Sequence, residues 1–154
     1  KFMQGRKNQG TDIWLHLSQT PNYKSWSGYA FENICLKHIS QIKKALGISG
    51  VYAETAGFYR AGSADQPGVQ IDLLIDRKDH VINLFELKFY NEAWSLSKSD
   101  AEELREKAGA FRYFTKTKKQ VFLNVLSTFG LKPNQYSTGL VAQSMTLDVL
   151  FDKG

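Results

Sequence analysis

Two hydrophobic runs in the middle of the chain carry the pattern of neighbouring β-strands. The first run, Val69–Asp76, predicts a strand whose odd-numbered residues share one face and whose even-numbered residues, including Gln70 and Asp72, share the other. The second run, Val81–Tyr90, is apolar on both faces, which is typical of a central strand covered on both sides. The charged residues inside this second strand therefore need compensating partners.

A short polar segment between the two runs predicts a β-hairpin. With a three-residue loop, Lys78–His80, Arg77 pairs with Val81. The same register sets Asp72 opposite Glu86. A four-residue loop would instead place the two carboxylates on opposite faces of the sheet. We adopt the three-residue loop, which brings the carboxylates together.

Two carboxylates that face each other across a sheet repel and must be compensated. One candidate is Lys88, which lies two residues after Glu86 on the same face and opposite Gln70 in the predicted register. The other is a hard divalent cation, because Mg²⁺ binds carboxylate oxygens and keeps other positions for water or phosphate. A solvent-exposed charged face with a surface salt bridge is the simpler alternative.

A helical stripe upstream of the strands adds a third carboxylate. Apolar or amphipathic residues recur at helical spacing from Tyr29 to Leu46, which predicts one amphipathic helix, capped by Ser25 or Ser27. The stripe contains Phe31, Ile34, Cys35, His38, Ile39, Ile42 and Leu46. Glu32 lies at the border of the stripe, where its side chain can reach toward a site. The alternative is an exposed first-turn glutamate that interacts with the helix dipole.

The remaining patterns complete an α/β chain. They predict a strand before the hairpin, a helix after it, two more strands and a final turn. The ranges are Val51–Arg60, a helix from a Ser99–Glu102 capping box, Gln120–Thr128, Gly139–Ser144, and a turn from Thr146 to Phe151. We predict a mixed central β-sheet flanked by helices, formed by residues 25–154 and preceded by an N-terminal arm or the end of a preceding segment over residues 1–24.

Composition narrows the function classes. The chain has 154 residues, of which 42% are hydrophobic and 13% aromatic, which favours one folded domain over disorder. The single cysteine, Cys35, falls in the helical stripe, so we expect a core position and a reducing, cytoplasmic location. No apolar run is long enough to span a membrane, and the three histidines do not form a zinc pattern.

The balance of charge favours a polyanionic partner. The formal net charge is +5 and the pI is about 9.3, which suits DNA. The basic residues gather at the N-terminus and along the second helix and the loop after it: Lys1, Arg6, Lys7, Lys107, Arg112, Lys116, Lys118 and Lys119. A solvated helix face is an equally open interpretation of the second group.

Three segments together resemble a known family. Trp26–Asn33, Gln70–Arg77 and Glu86–Tyr90 place a helix Glu, a strand Asp and a Glu-x-Lys in the order of the PD-(D/E)XK nuclease superfamily. They resemble more closely the C-terminal nuclease-like domain of a prokaryotic AAA-type ATPase family. The chain has no G-x-x-x-x-G-K-[ST] pattern, so we expect it to be part of a larger protein that carries the ATPase domain elsewhere.

The resemblance implies a restriction-endonuclease-like core in αβββαβ order and a set of metal ligands. Asp72 and Glu86 would hold Mg²⁺, with Mn²⁺ as an alternative. The backbone carbonyl of Leu87 would add a ligand, and Glu32 would bind directly or through water. The usual Pro before the strand Asp is absent here, since Gln70 and Ile71 stand before it.

The resemblance also implies an activity, the hydrolysis of phosphodiester bonds in DNA. Lys88 would lie near the attacking water and the scissile phosphate, where we expect an orienting and electrostatic role. Gln70 would position water or phosphate. A catalytically inert nuclease-like module that binds nucleic acid or regulates the ATPase is the alternative. A homodimer that cuts both strands remains open as well.

Overall fold

The computed structural model describes residues 21–152, and most of the predicted arm, residues 1–20, lies outside this part. Its centre is a five-stranded sheet in the order β1-β2-β3-β4-β5. The strands are β1 Ala53–Arg60, β2 Val69–Arg77, β3 Val81–Lys88, β4 Gln120–Ser127 and β5 Val141–Thr146. The first three strands are antiparallel, whereas β3, β4 and β5 run parallel. The predicted α/β class with a mixed sheet is confirmed.

Helices cover both faces of this sheet. They are α1 Pro21–Lys37, α2 Ile39–Ala45 and α3 Lys98–Thr115, with a 3-10 helix at Leu147–Phe151. One apolar cluster lies on the α3 side and includes Ile82, Leu84, Leu104 and Phe111. A second lies on the side of α1 and α2 and includes Phe31, Ile42, Phe85 and Leu87. Because β3 contributes to both clusters, its predicted central position is confirmed.

The first helical segment differs from its prediction in start and continuity. α1 begins at Pro21, a residue favoured in the first turn of a helix, so Ser25 and Ser27 lie inside the helix and do not cap it. The helix also breaks at His38. There the ring Nδ1 of His38 donates to the carbonyl of Ile34 at 2.7 Å, and the backbone amide of His38 donates to the carbonyl of Cys35.

The helix α3 also starts earlier than predicted. Its N-cap is Ser97, whose side chain accepts from the Asp100 amide while the Asp100 carboxylate accepts from the Ser97 amide. The predicted cap at Ser99 is therefore wrong. An aspartate three residues after the N-cap can accept from the N-cap amide as the usual glutamate does. Asp100 stands three residues after Ser97, so the helix is capped at Ser97.

A β-bulge interrupts β2 next to the candidate site. Ala56 of β1 pairs with Leu74, but Phe58 pairs with Ile71, so two residues of β2 lie opposite Gly57 alone. An extra residue of this kind bends its strand and re-aims the neighbouring side chains.

The bulge changes which residues share a face. Val69 and Ile71 pack into the cluster on the α3 side, whereas Leu73 and Ile75 pack into the cluster on the α1 side. The prediction that all odd-numbered residues of this strand share one face is therefore wrong. The faces to which the odd-numbered side chains of β2 point are thus exchanged at the bulge, which includes Asp72.

The predicted hairpin register is confirmed where the two strands pair. The loop is Lys78–His80, and His80 takes a left-handed φ of 66°, as the last residue of a three-residue hairpin loop commonly does. The pairs run from Asp76 with Ile82 to Leu73 with Phe85.

No helix in the part of the chain that the structure describes is long and apolar enough to cross a membrane.

We expect Ser97→Ala to lower the free energy of unfolding by about 1 kcal/mol, because it removes the side-chain acceptor of the α3 cap. The matched control is Ser99→Ala, an exposed position inside the same first turn, for which we expect a change within about 0.5 kcal/mol. Urea denaturation measures both. Equal losses for the two variants would contradict the assignment of the cap.

Candidate functional site

The candidate site lies where β2 and β3 separate. Their ladder ends at Leu73 and Phe85; beyond this point β2 pairs only with β1, and β3 only with β4. The predicted cross-strand pairs of Asp72 with Glu86 and of Gln70 with Lys88 are therefore not part of the ladder. We call the opening between the diverging strands the fork, and the carboxylates stand on its two sides.

The α1 side of the fork joins three of the predicted site residues. Gln70 donates from Nε2 to Oδ1 of Asp72 at 3.1 Å. Glu32, half-buried at the border of α1, lies close enough to Asp72 for the carboxylate of Asp72 to act on the ionisation of Glu32. Phe31 and Cys35, next to Glu32 on the helix, are buried and hold that face of α1 against the sheet. The helical stripe thus places Glu32 beside Asp72.

The like charges around Glu32 make it harder to ionise. Its pKa is raised above the ordinary value of 4.5 by burial first, then by the charge and hydrogen bond of Asp72, and then by Glu86. The positive charge of Lys107 acts in the opposite direction but does not cancel these effects. The protein groups alone therefore leave the negative charge of the fork incompletely compensated.

The α3 side of the fork holds Glu86 and Lys88. Glu86 accepts from Nζ of Lys107 on α3 at 2.8 Å, with both side chains about three-quarters buried. Nζ of Lys88 lies 5.2 Å from the ring centroid of Trp94, within the range of a cation–π contact. The lysine that compensates the charge of Glu86 is thus Lys107, whereas the predicted candidate was Lys88.

The two sides of the fork are electrostatically one site. Glu86 and Lys107 both act on the pKa of Glu32, although they belong to the opposite side. A cleft of about 50 Å³ beside Glu86 and Lys88 adds two more acids of α3, Asp100 and Glu103. The fork therefore concentrates negative charge around a few lysines.

The carbonyl of Leu87 also belongs to the fork. The carbonyl of Lys88 accepts from the Thr128 amide on the β4 side. Successive carbonyls along a strand point to opposite edges, so the Leu87 carbonyl points toward β2, beyond the end of their ladder. Among residues 21–152, however, no group of three His, Cys, Asp or Glu side chains is already arranged around a metal position.

The roles of Lys107 and Trp94 were not predicted. The one signal for Lys107 is its helical spacing after Asp100 and Glu103, with which it forms a polar stripe. That stripe borders the buried positions Leu104 and Ala108, which places it at the edge of the sheet. No helical or strand periodicity points to Trp94, since it lies in the loop before α3.

Two of the lysines expected to contact DNA form ion pairs with carboxylates of the protein itself. Lys107 pairs with Glu86 and Lys119 pairs with Asp76. A cleft of about 550 Å³ on the other flank of α3 is lined by Arg105 and Arg112. It is larger than the cleft at the fork but lies apart from the carboxylates, so we do not place the chemistry there.

Cys35 occupies the core, as expected. The side chain is fully buried, and burial together with the charge of Glu32 raises the pKa of its thiol to about 12. A thiol that stays protonated is a poor nucleophile.

Comparison with protein-family models and with curated proteins found no match for this chain. The resemblance to PD-(D/E)XK nucleases therefore remains a prediction from the residues, and the geometry of the fork has to be judged by its own chemistry.

We expect Glu32→Gln to raise the melting temperature at pH 7 and to leave it nearly unchanged near pH 4. The folded-state pKa of Glu32 lies above its unfolded value of 4.5, so the folded chain binds more protons between the two values. Its stability therefore falls as the pH rises through that window. The amide removes this loss.

The control for this prediction is Glu102→Gln, an exposed glutamate on α3. Calorimetric melting of both variants across this pH range is the measurement. A Glu32→Gln effect that is equal at both pH values would contradict the role of ionisation.

Proposed function

We propose that this chain is a Mg²⁺-dependent module that hydrolyses phosphodiester bonds in DNA, built on a PD-(D/E)XK nuclease core. The observation that carries the proposal is the fork, where Glu32 and Asp72 approach from one side and Glu86 and Lys88 from the other. Four residues, in the order that the resemblance implies, thus lie around the fork.

The order of elements supports the same proposal. The interrupted helical segment α1–α2, the antiparallel strands β1 to β3, the helix α3 and the parallel strand β4 follow one another, which fits the αβββαβ order that the resemblance implies. Fold alone does not establish an activity, so the proposal depends on the chemistry of the fork.

The residues of the fork fit a hard divalent cation. Carboxylate and carbonyl oxygens are the ligands that Mg²⁺ prefers, and they are present in Asp72, Glu86, Glu32 and the Leu87 carbonyl. The raised pKa of Glu32 supports this fit, because a cation would relieve the repulsion that causes it. Mn²⁺ has the same ligand preference.

The protein groups would divide the work of phosphodiester hydrolysis. The bound cation would supply positive charge at the phosphate and a more acidic water molecule. Lys88 takes no part in the ion pairs Arg77–Asp79, Lys107–Glu86 and Lys119–Asp76, so we assign its ammonium the role of stabilising the negative charge of the transition state. Gln70, already bonded to Asp72, would orient the water or a phosphate oxygen.

The net charge of +5 supports DNA as the substrate, because phosphate contacts dominate affinity for nucleic acids. We also propose, from the resemblance, that the module works in one protein with an ATPase domain and that cutting both strands would require two copies. These partners depend on the family assignment, whereas the metal site depends only on the fork.

The second candidate is an inert module that binds nucleic acid. The ion pair between Glu86 and Lys107 favours it, because Lys107 already supplies a cation to one of the three carboxylates. Metal binding would have to displace Lys107 from Glu86. The two candidates therefore differ in whether a divalent cation competes with this ion pair.

We expect the chain to cleave DNA in the presence of Mg²⁺ and to lose this activity in Asp72→Asn, since the neutral amide lacks the negative charge with which the carboxylate holds the cation. We expect Lys88→Ala to reduce the rate about 100- to 1,000-fold, as other losses of transition-state stabilisation do. Gel assays with duplex and single-stranded DNA measure the rates.

The matched control is Asp65→Asn, an exposed aspartate in the loop before β2, which should cleave like the wild type. Melting curves exclude unfolding as the cause of a loss. Cleavage that survives in Asp72→Asn would refute the proposed site, and no cleavage by the wild type would favour the inert module.

A further inference from the structure

An open hollow lies beside Asp72 on the outer part of the sheet. It has a volume of about 460 Å³ and is lined by Gly57, Phe58, Tyr59, Gln70, Ile71 and Asp72. Tyr59 and Gln70 are cross-strand partners, so their side chains lie on the same face within reach of each other. Because Asp72 lines the hollow and also stands at the fork, the hollow borders the fork.

A large aromatic side chain is exposed at this hollow. Tyr59 lies in β1, and 65% of its surface is accessible to solvent. Its neighbour Phe58 instead packs against Phe111 with ring centroids 5.1 Å apart. Packing of Phe58 thus anchors β1 and presents the ring of Tyr59 on the opposite face, the face of Gln70.

The floor of the hollow is open because Gly57 has no side chain. A Cβ at this position would meet the carbonyl oxygens of Ile71 and Asp72 at 3.5 and 3.6 Å, which is ordinary contact. The backbone conformation there does not require glycine. The glycine keeps the hollow empty between Tyr59 and the strand backbone.

One wall of the hollow can form hydrogen bonds of both kinds. Gln70 uses one amide hydrogen on Asp72 and is otherwise exposed. Its amide therefore has a second donor and a carbonyl acceptor to offer, which matches the mixed donors and acceptors at the edge of a nucleobase.

We propose that this hollow binds one unpaired nucleobase, stacked on Tyr59 with its edge toward Gln70. This inference rests on the proposed function and specifies its substrate as a single strand or a locally unpaired stretch. A base within a duplex has its faces covered by its neighbours, whereas an unpaired base can stack on an aromatic ring. Its phosphate would lie next to Asp72.

The test uses the 154-residue chain in EDTA and short DNA strands that carry the fluorescent base 2-aminopurine. Stacking on Tyr59 quenches the fluorescence of the single strand, whereas the matched duplex should give little change. We expect Tyr59→Ala to abolish the quenching and to weaken single-strand binding about tenfold, a typical loss for one stacked base. Tyr59→Phe should keep both, because it keeps the ring.

Two further variants make the test specific. Tyr52→Ala removes a tyrosine of similar exposure, 64%, just before the other end of β1, and should bind like the wild type. Gly57→Val fills the floor of the hollow and should lose the quenching while it keeps Tyr59. Melting curves for all variants identify a loss caused by unfolding.

The outcomes separate this inference from the proposed function. If Tyr59→Ala and Gly57→Val both bind and quench as the wild type does, the nucleobase site is refuted, even when cleavage still depends on Asp72. Equal quenching by duplex and single strand refutes it as well. If quenching depends on Tyr59 while Mg²⁺ produces no cleavage, the nucleobase site stands and the nuclease activity fails.

Discussion

The separation of β2 from β3 is the constraint on which the candidate site depends. As long as two strands pair, their side chains are committed to one face or the other, and facing carboxylates repel. Where the ladder ends at Leu73 and Phe85, and the bulge turns β2 over, Asp72 and Glu86 can approach from opposite sides of the sheet. The helices then add Glu32 from α1 and Lys107 from α3.

This arrangement links stability to function in one place. The apolar clusters on the two faces fix α1 and α3 against the sheet, and so they hold acids and a lysine close together at the fork. The repulsion raises the pKa of Glu32, and Lys107 relieves it only in part. Perturbed pKa values of this kind cluster at functional sites. The hollow at Tyr59 extends the same region toward the exposed edge of β1.

The sequence predicted the parts of this fold that depend on local pattern and could not predict those that depend on tertiary contact. The three-residue loop correctly gave the hairpin register between Leu73 and Asp76, although the alternation predicted for the whole of β2 was wrong. The bulge at Asp72 was not predictable, because it arises from pairing with β1 and leaves no local signal. The break at His38 was missed for a similar reason, since an imidazole fits a helical stripe until its ring binds the Ile34 carbonyl. The position of Glu32 at the border of the stripe does bring it beside Asp72. The pairing of Glu86 with Lys107 could not be predicted, because helix α3 is distant in sequence.

A calorimetric titration with Mg²⁺, run in two buffers of different ionisation heat at mildly acidic pH, shows whether the carboxylates of the fork form a metal site. If the cation binds the carboxylates of the fork, the wild type binds Mg²⁺ and releases protons as Glu32 ionises, and Asp72→Asn loses both. If the wild type neither binds Mg²⁺ nor releases protons, or if Asp72→Asn binds as well as the wild type, the fork is not a metal site and the account is wrong.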